Sequence, residues 1–163
     1  AHRFWAVLIG IDAYVSNPLR GCVSDALSMK QSLIKDVRMS EERIQCLLGS
    51  GGPTSDGFLI PTRSNIVNTL HSLIDNPLIE RGDNIIVYYA GHGSRYHCLK
   101  HDFPRLELDC NNDLCHIDAL CPIDRDAIDG NRPIPDISDR ELNAIFTQVS
   151  RTKGHKITFI ADC

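Results

Sequence analysis

Residues 4–11 read FWAVLIGI, a run in which the glycine is the only residue without an apolar side chain. Short, uninterrupted apolar runs rich in β-branched and aromatic residues are typical of strands buried on both faces of a parallel sheet. Three further runs of this kind follow, at Arg43–Leu48, Asn84–Tyr89 and Lys156–Ala161. The sequence therefore predicts four strands of one mostly parallel sheet.

Amphipathic helical patterns separate these four strands. The first pattern follows Ser24, and the second opens near Thr62 and stops at Pro77. The third begins with the capping-box pair Ser138 and Glu141. Because strand and helix alternate along the chain, the sequence predicts an α/β fold: a doubly wound, mostly parallel sheet flanked by helices.

Two segments between these elements lack a regular pattern. Residues 49–61 contain four glycines without the Gly-Lys-Ser/Thr ending of a P-loop, so we expect a loop that cradles no phosphate. Residues 94–118 show no clear periodicity, and we interpret them as a long irregular insertion. Soft metal ligands crowd this region, although their spacing matches no common zinc-finger pattern. They are His97, Cys98, His101, Cys110, Cys115, His116 and Cys121.

Composition and charge disfavour several classes of partner. The 163 residues carry 17 basic and 21 acidic side chains, a formal net charge of −4, and no Lys/Arg-rich run, so we expect no nucleic-acid partner. The apolar runs are far shorter than the roughly 20 residues of a membrane-spanning helix, so we expect no membrane association. Seven cysteines, an odd number, favour reduced thiols over a disulfide scaffold, and we expect a cytoplasmic location.

The carboxyl ends of two predicted strands carry groups that could react together. The third strand runs into AGHGS at 90–94, which contains His92, and the fourth runs into Asp162 and Cys163. Ligands bind beyond the carboxyl ends of the strands in such a sheet. A histidine and a cysteine at one edge indicate a thiol nucleophile activated by an imidazole, with the Gly93 amide available to a developing oxyanion. The alternative is a turn histidine and a buried cysteine with structural roles.

Motifs along the whole chain resemble those of the caspase-like cysteine peptidases, and among them the fungal metacaspase-like proteins. The resemblance is carried by FWAVLIGIDAY at 4–14, LRGCVSDA at 19–26, YYAGHGS at 88–94, ALCPID at 119–124, SDREL at 138–142 and ITFIADC at 157–163. The first of these looks like the family's first strand, the third like its histidine motif, and the last like the strand that delivers its nucleophile.

The resemblance implies a cysteine endopeptidase that acts on peptides and proteins through a Cys–His dyad, with His92 as general base. It also implies that residues 1–163 are the large-subunit part of a catalytic domain whose partner is a small subunit from the same precursor. We therefore expect this chain alone to be inactive. A catalytically inactive caspase-like module with an interaction or regulatory role is the alternative.

The register of the nucleophile has two interpretations. In metacaspase-like proteins the nucleophile stands two residues after an aspartate at the end of the strand. If Asp162 is that aspartate, the nucleophile is the residue after Cys163, and this is the register that the family spacing favours. In the other register Cys163 is itself the nucleophile.

The resemblance also bears on specificity. Asp25 matches the pocket aspartate of metacaspases, and Asp162 stands just ahead of the nucleophile, whereas Leu19 occupies the place of the first pocket arginine of caspases. Two carboxylates in a partly desolvated cleft would pair with a guanidinium or an ammonium group. The resemblance therefore implies cleavage after Arg or Lys, unless Asp25 only caps the first helix.

No cofactor is expected, and calcium activation is expected to be weak or absent. Many metacaspases bind calcium through an Asp-Asp-Glu run, but this chain reads Asp139-Arg140-Glu141. Arg140 places a positive charge where a hard cation needs carboxylate oxygen. Asp139 and the nearby Asp136 remain as the candidate ligands.

Overall fold

The computed structural model describes residues 3–51, 58–97 and 116–163. Its strands are β1 (Phe4–Ile11), β2 (Ile44–Gly49), β3 (Asn84–Ala90), β4 (Gly93–His97), β5 (His116–Leu120), β6 (Ile128–Asp129), β7 (Arg132–Pro133), β8 (Ile137–Ser138) and β9 (Ile157–Asp162). Its helices are α1 (Cys22–Lys35), α2 (Arg63–Asp75) and α3 (Asp139–Lys153). No helix within these ranges combines the length and the apolar character that crossing a bilayer requires.

The four apolar runs form one parallel sheet in the order β2-β1-β3-β9. The predicted strand bounds agree with the observed ones to within one residue, and the predicted fold class is confirmed. β3 lies between β1 and β9, so its carboxyl end is flanked by the ends of both neighbours. β9 forms one margin of the sheet, and its last five residues are exposed.

Helices cover both faces of this sheet. α1 packs on one face, where Ala26 is buried with Leu8 and Tyr88. α2 and α3 pack on the other face, where Ile145 is buried with Tyr89. Successive side chains of a strand point to opposite faces. At the carboxyl end of β3, Tyr88 therefore lies on the α1 face of the sheet and Tyr89 on the face covered by α2 and α3. The groups of the candidate site are divided between the same two faces.

Helix α1 begins at Cys22, so the predicted start after Ser24 was wrong. Gly21 precedes it with φ 112° and has no side chain to cap the helix. Asp12 supplies the cap from the end of β1, because its Oδ1 accepts from the amide of Cys22 at 2.9 Å and its Oδ2 from that of Val23 at 3.4 Å. Helix starts are usually recognised by a capping residue directly before the helix. Because Asp12 stands ten residues before Cys22, the sequence around the helix start carries no such signal.

The other two helix starts follow the prediction. Thr62 caps α2 by accepting the amide of Asn65 at 3.2 Å, and the helix ends before Pro77. Ser138 caps α3 by accepting the amide of Glu141 at 3.2 Å. The capping box is only half made, because the Glu141 carboxylate binds the Arg63 guanidinium at 2.6 Å. This ion pair instead joins the starts of α2 and α3.

Residues 94–118 are not wholly irregular, which corrects the prediction for this segment. Its two ends lie in β4 and β5, which pair antiparallel, and β8 extends them to a second sheet of order β4-β5-β8. Residues 98–115 lie outside the described part of the chain. In the segment 49–61, predicted to be a loop, Leu59 forms a parallel bridge to Leu47 of β2.

Candidate active site

The chain leaves β3 through a turn that has no room for a side chain at Gly91. A Cβ there would lie 2.5 Å from the hydroxyl of Tyr14 and 2.8 Å from that of Tyr89, too close for any residue with a side chain. His92 follows directly, beyond the carboxyl end of the strand. This is the edge where ligands of open α/β sheets bind, so the histidine stands where the prediction requires it.

The imidazole of His92 has a fixed orientation. Its Nε2 lies 2.7 Å from the carbonyl oxygen of Asn17, and its ring packs against that of Tyr14 with centroids 4.6 Å apart. Because a carbonyl oxygen only accepts hydrogen bonds, Nε2 carries the proton of the neutral ring. Nδ1 is then the unprotonated nitrogen, and it is the atom that can take a proton from a thiol.

Gly93 and Cys163 are brought into contact at the same edge. The pairing of β3 with β9 sets Asp162 opposite Ala90, so Cys163 follows beside the turn that carries His92. A Cβ built on Gly93 would lie 3.1 Å from Sγ of Cys163. The histidine loop and the end of β9 thus form one site.

A cavity of about 550 Å³ opens beside this contact, on the face covered by α3. Its walls come from β4, β5, β9 and α3, and they are largely apolar apart from a few charged groups. Arg95 and Asp118 pair across β4 and β5 at 2.7 Å and are both exposed. The lining residues include Gly93, Leu120, Asp139, Leu142, Phe159 and Cys163.

Asp162 points to the opposite face from Cys163. Its Oδ2 accepts a hydrogen bond from the Tyr88 hydroxyl at 3.0 Å, on the α1 face of the sheet. Burial, the hydrogen bond to Asp162 and the negative charges of Asp162 and Asp25 together raise the pKa of Tyr88 to about 12. Both predicted pocket carboxylates therefore act on one tyrosine. Asp25 lies in the first turn of α1, where Asp12 already caps the first two amides.

Asp136, one of the predicted calcium ligands, is enclosed by protein groups. Only 3% of its side chain is exposed, and its Oδ2 accepts from the Ser94 hydroxyl at 2.6 Å and the Arg125 guanidinium at 3.0 Å. The hydroxyl of Tyr96 binds the same oxygen. A cation at this carboxylate would have to displace an arginine, so Asp136 is poorly suited to bind one. Asp139 is exposed and accepts from the amide of Arg140 at 2.7 Å.

The region rich in possible soft metal ligands is described only in part. Cys98, His101, Cys110 and Cys115 fall outside the described residues. His97 and His116 are paired in register across β4 and β5, and Cys121 is buried. Within residues 3–51, 58–97 and 116–163, no three His, Cys, Asp or Glu side chains are grouped so that they could hold a metal ion.

Sequence reasoning missed three residues of the site. Asn17 contributes a main-chain carbonyl, for which the residue type carries no signal, although its φ of 56° marks a tight turn. Tyr14 and Tyr88 lie in apolar motifs and were interpreted as parts of strands or their exits. Their hydroxyl groups could have indicated a role in the site, because a buried tyrosine usually has a hydrogen-bond partner.

Comparison with known proteins identifies the family that this chain resembles. A family model described as the metacaspase peptidase C14 domain matches residues 5–163. Metacaspase-1 of Arabidopsis thaliana is 32% identical over 120 residues, which cover 73% of this chain and 29% of that protein. Metacaspase-6 of the same plant is 39% identical over 92 residues, or 55% of this chain and 23% of that protein. Metacaspase-1 of Eremothecium gossypii is 33% identical over 98 residues.

The chain spans less than a third of the length of these relatives. A crystal structure of a protein from Geobacter sulfurreducens has the same fold, with a TM-score of 0.61 over 98% of this chain and 48% of that one. Sequence identity in that match is 15%, so it supports the fold alone. With the family model matched from residue 5 to residue 163, the chain belongs to the metacaspase family as a peptidase C14 domain.

Proposed function

We propose that this chain provides the histidine and the oxyanion-binding amide of a cysteine endopeptidase that cleaves peptides and proteins after Arg or Lys. The observation that carries the proposal is the oriented imidazole of His92, next to the contact between Gly93 and Cys163. The proposed base His92, the Gly93 amide and the carboxyl end of β9, which carries the thiol, lie together at one edge of the sheet. These are the parts that nucleophilic acyl transfer requires.

In the proposed mechanism the thiol gives its proton to Nδ1 of His92, and the thiolate attacks the scissile carbonyl carbon. The carbonyl oxygen gains the negative charge, which the Gly93 N–H stabilises. The imidazolium then protonates the leaving amine, and a thioester remains. Water, deprotonated by His92, hydrolyses the thioester and restores the thiol. Throughout, the second ring proton stays on Nε2, which donates it to the Asn17 carbonyl.

Both registers of the nucleophile fit this scheme. Cys163 contacts Gly93 on the face of the cavity. In an extended strand the residue after Cys163 would point to the opposite face, which holds Asp162 and Tyr88. The register in which the nucleophile follows Cys163 would therefore put it on the same face as the two proposed pocket carboxylates, which supports the register favoured by the family spacing.

The proposed pocket for Arg or Lys is formed by Asp25 and Asp162. The Tyr88 hydroxyl donates to Oδ2 of Asp162, and in the proposed pocket the substrate cation binds Oδ1. Asp12 accepts from the first two amides of α1, so the helix start has a cap without Asp25, which supports a further role for the Asp25 carboxylate. A guanidinium between two carboxylates would form charge-assisted hydrogen bonds, which are the strongest kind in proteins.

We expect the 163-residue chain alone to show no peptidase activity and the chain with its downstream segment to turn over peptides. In the described part of the chain no strand pairs with the outer edge of β9, and Phe159 is 37% exposed beside the cavity, so one wall of the cleft has little support. The proposed partner is a small subunit from the same precursor. Rates of hydrolysis of an Arg-containing peptide by both forms test this. Activity of the isolated chain would contradict it, and inactivity of both forms would favour the regulatory module.

We expect calcium to activate the intact protein weakly or not at all. Arg125 already neutralises the buried carboxylate of Asp136, and Arg140 replaces a carboxylate beside Asp139. A hard cation needs several oxygen ligands, and these substitutions remove them. Hydrolysis rates measured across a calcium titration, with magnesium as the control ion, test this prediction. Strong activation at micromolar calcium would refute it.

A further inference from the structure

A closed hydrogen-bond network surrounds the main chain of His92. The His92 amide donates to the Tyr14 hydroxyl at 2.9 Å, and that hydroxyl donates to the carbonyl of Cys121 at 2.9 Å. The His92 carbonyl accepts from the Tyr89 hydroxyl at 2.7 Å and from the amide of Cys121 at 3.0 Å. These four hydrogen bonds join four donors to three acceptor groups, because the His92 carbonyl accepts two of them. The Tyr89 hydroxyl also lies 3.1 Å from that of Tyr14 and 2.9 Å from the Cys121 carbonyl. The network is buried, since Tyr14 is 3% and Tyr89 0% exposed.

Tyr14 makes two different contacts with His92. Its hydroxyl holds the amide, and its ring lies against the imidazole at a centroid distance of 4.6 Å and an interplanar angle of 48°. Asn17, three residues further along the same loop, holds Nε2. One loop therefore fixes the main chain, the ring plane and the proton position of the histidine.

Both tyrosine hydroxyls remain neutral over the working pH range of a protein. Burial raises the pKa of Tyr14 to about 12 and raises that of Tyr89 further still. A neutral hydroxyl can accept from an amide and donate to a carbonyl at the same time, whereas a phenolate can only accept. The arrangement around the His92 amide needs both of these abilities at Tyr14.

We propose that Tyr14 is the positioning residue for His92, which it holds through its hydroxyl on the amide and its ring on the imidazole. The inference rests on the proposed function, since a base must be oriented only if it transfers protons. It goes beyond that function because it assigns a role in catalysis to a buried residue that touches no substrate. Tyr89 binds the same turn without this role. Its hydroxyl contacts two carbonyls and the Tyr14 hydroxyl, but not the His92 amide or ring, and each carbonyl has a second donor.

The test compares Tyr14→Phe with Tyr89→Phe in the protein that carries its downstream segment. Each variant removes one buried hydroxyl from the same network, and Tyr14→Phe retains the ring against the imidazole. Only Tyr14→Phe removes the acceptor of the His92 amide, whereas in Tyr89→Phe the His92 carbonyl still accepts from Cys121. The measurements are kcat and KM on an Arg-containing peptide, Tm, and the ring ¹⁵N resonances of His92, assigned by their loss in His92→Gln.

We expect Tyr14→Phe to lower kcat by a factor of about 10 to 100, the usual scale for residues that orient a reacting group through a hydrogen bond, with KM within about twofold. Its His92 resonances should move away from the Nε2–H tautomer of the wild-type protein. Tyr89→Phe should lower Tm by a similar amount and kcat by less than about threefold.

Unchanged His92 resonances in Tyr14→Phe would overturn the proposal, as would parallel losses of kcat in the two variants that follow their losses of Tm. If the wild-type protein hydrolyses no peptide, the proposed function fails. The ring resonances of the two variants then decide by themselves whether Tyr14 positions the histidine. The two failures are thus distinguishable.

Discussion

Replacing His92 by alanine in the protein with its downstream segment should lower turnover by a factor of about 100 or more. This is the scale on which a general acid–base contributes to a rate. The loss should appear in kcat, because the imidazole takes and returns a proton and the proposed binding pocket lies at Asp25 and Asp162. Steady-state kinetics on an Arg-containing peptide measure the effect. An unchanged rate would exclude the proposed dyad.

His155→Ala is a matched control for this substitution. His155 lies in the turn between α3 and β9, at the amino end of that strand, where its Nδ1 contacts the Ser150 hydroxyl at 2.8 Å. The substitution removes the same side chain at the opposite end of the sheet from the proposed site. We expect its rate to stay within about twofold of the wild-type rate, as surface substitutions usually have small effects.

The register of the nucleophile can be decided in the same assay. Cys163→Ala should abolish turnover if Cys163 is the nucleophile. If the following residue is the nucleophile, Cys163→Ala should retain most of the rate, because alanine still fills the space next to Gly93. Alanine at the following position should then be the inactive variant.

The central sheet could be predicted because its signals are local. β1 and β3 are continuous apolar runs, and the Thr62 and Ser138 caps precede their helices directly in sequence. β6, β7 and β8 have two residues each, too few to display any periodicity. β4 and β5 belong to a small sheet whose strands mix polar with apolar residues, so they lacked the pattern of a buried strand.

The candidate site could be predicted only in part, because the sequence shows side chains and not the main-chain contacts between them. His92, Gly93 and Cys163 follow strands, and parallel strands bring their carboxyl ends together. The carbonyl of Asn17 and the cap from Asp12 are instead contributed by a loop whose path the sequence does not reveal. Asp136 was interpreted as a free carboxylate because its partner Arg125 lies eleven residues away and across a hairpin.

The intact protein should cleave after Arg or Lys and not after Asp. In the proposed pocket, Asp162 follows β9 and Asp25 lies in the first turn of α1, so a side chain entering there would meet two negative charges. Juxtaposing like charges costs several kcal/mol, so kcat/KM for a peptide with Arg before the scissile bond should exceed that for Asp by more than about a hundredfold. Matched peptides that differ only at this residue measure the ratio, and a preference for Asp would overturn the pocket.

Asp25→Ala should lower kcat/KM for the Arg peptide by a factor of about 10 to 100, the loss of one charge-assisted contact in a partly exposed site. Asp36→Ala is the matched control, because Asp36 lies at the other end of α1 and its loss changes the net charge equally. If Asp25 only stabilised the helix, Asp25→Ala would lower Tm and keep the preference for Arg. If the Asp25 carboxylate contacts the substrate, Asp25→Ala should lose the preference for Arg and Asp36→Ala should keep it. The Asp12 cap keeps the start of α1 in place in both variants.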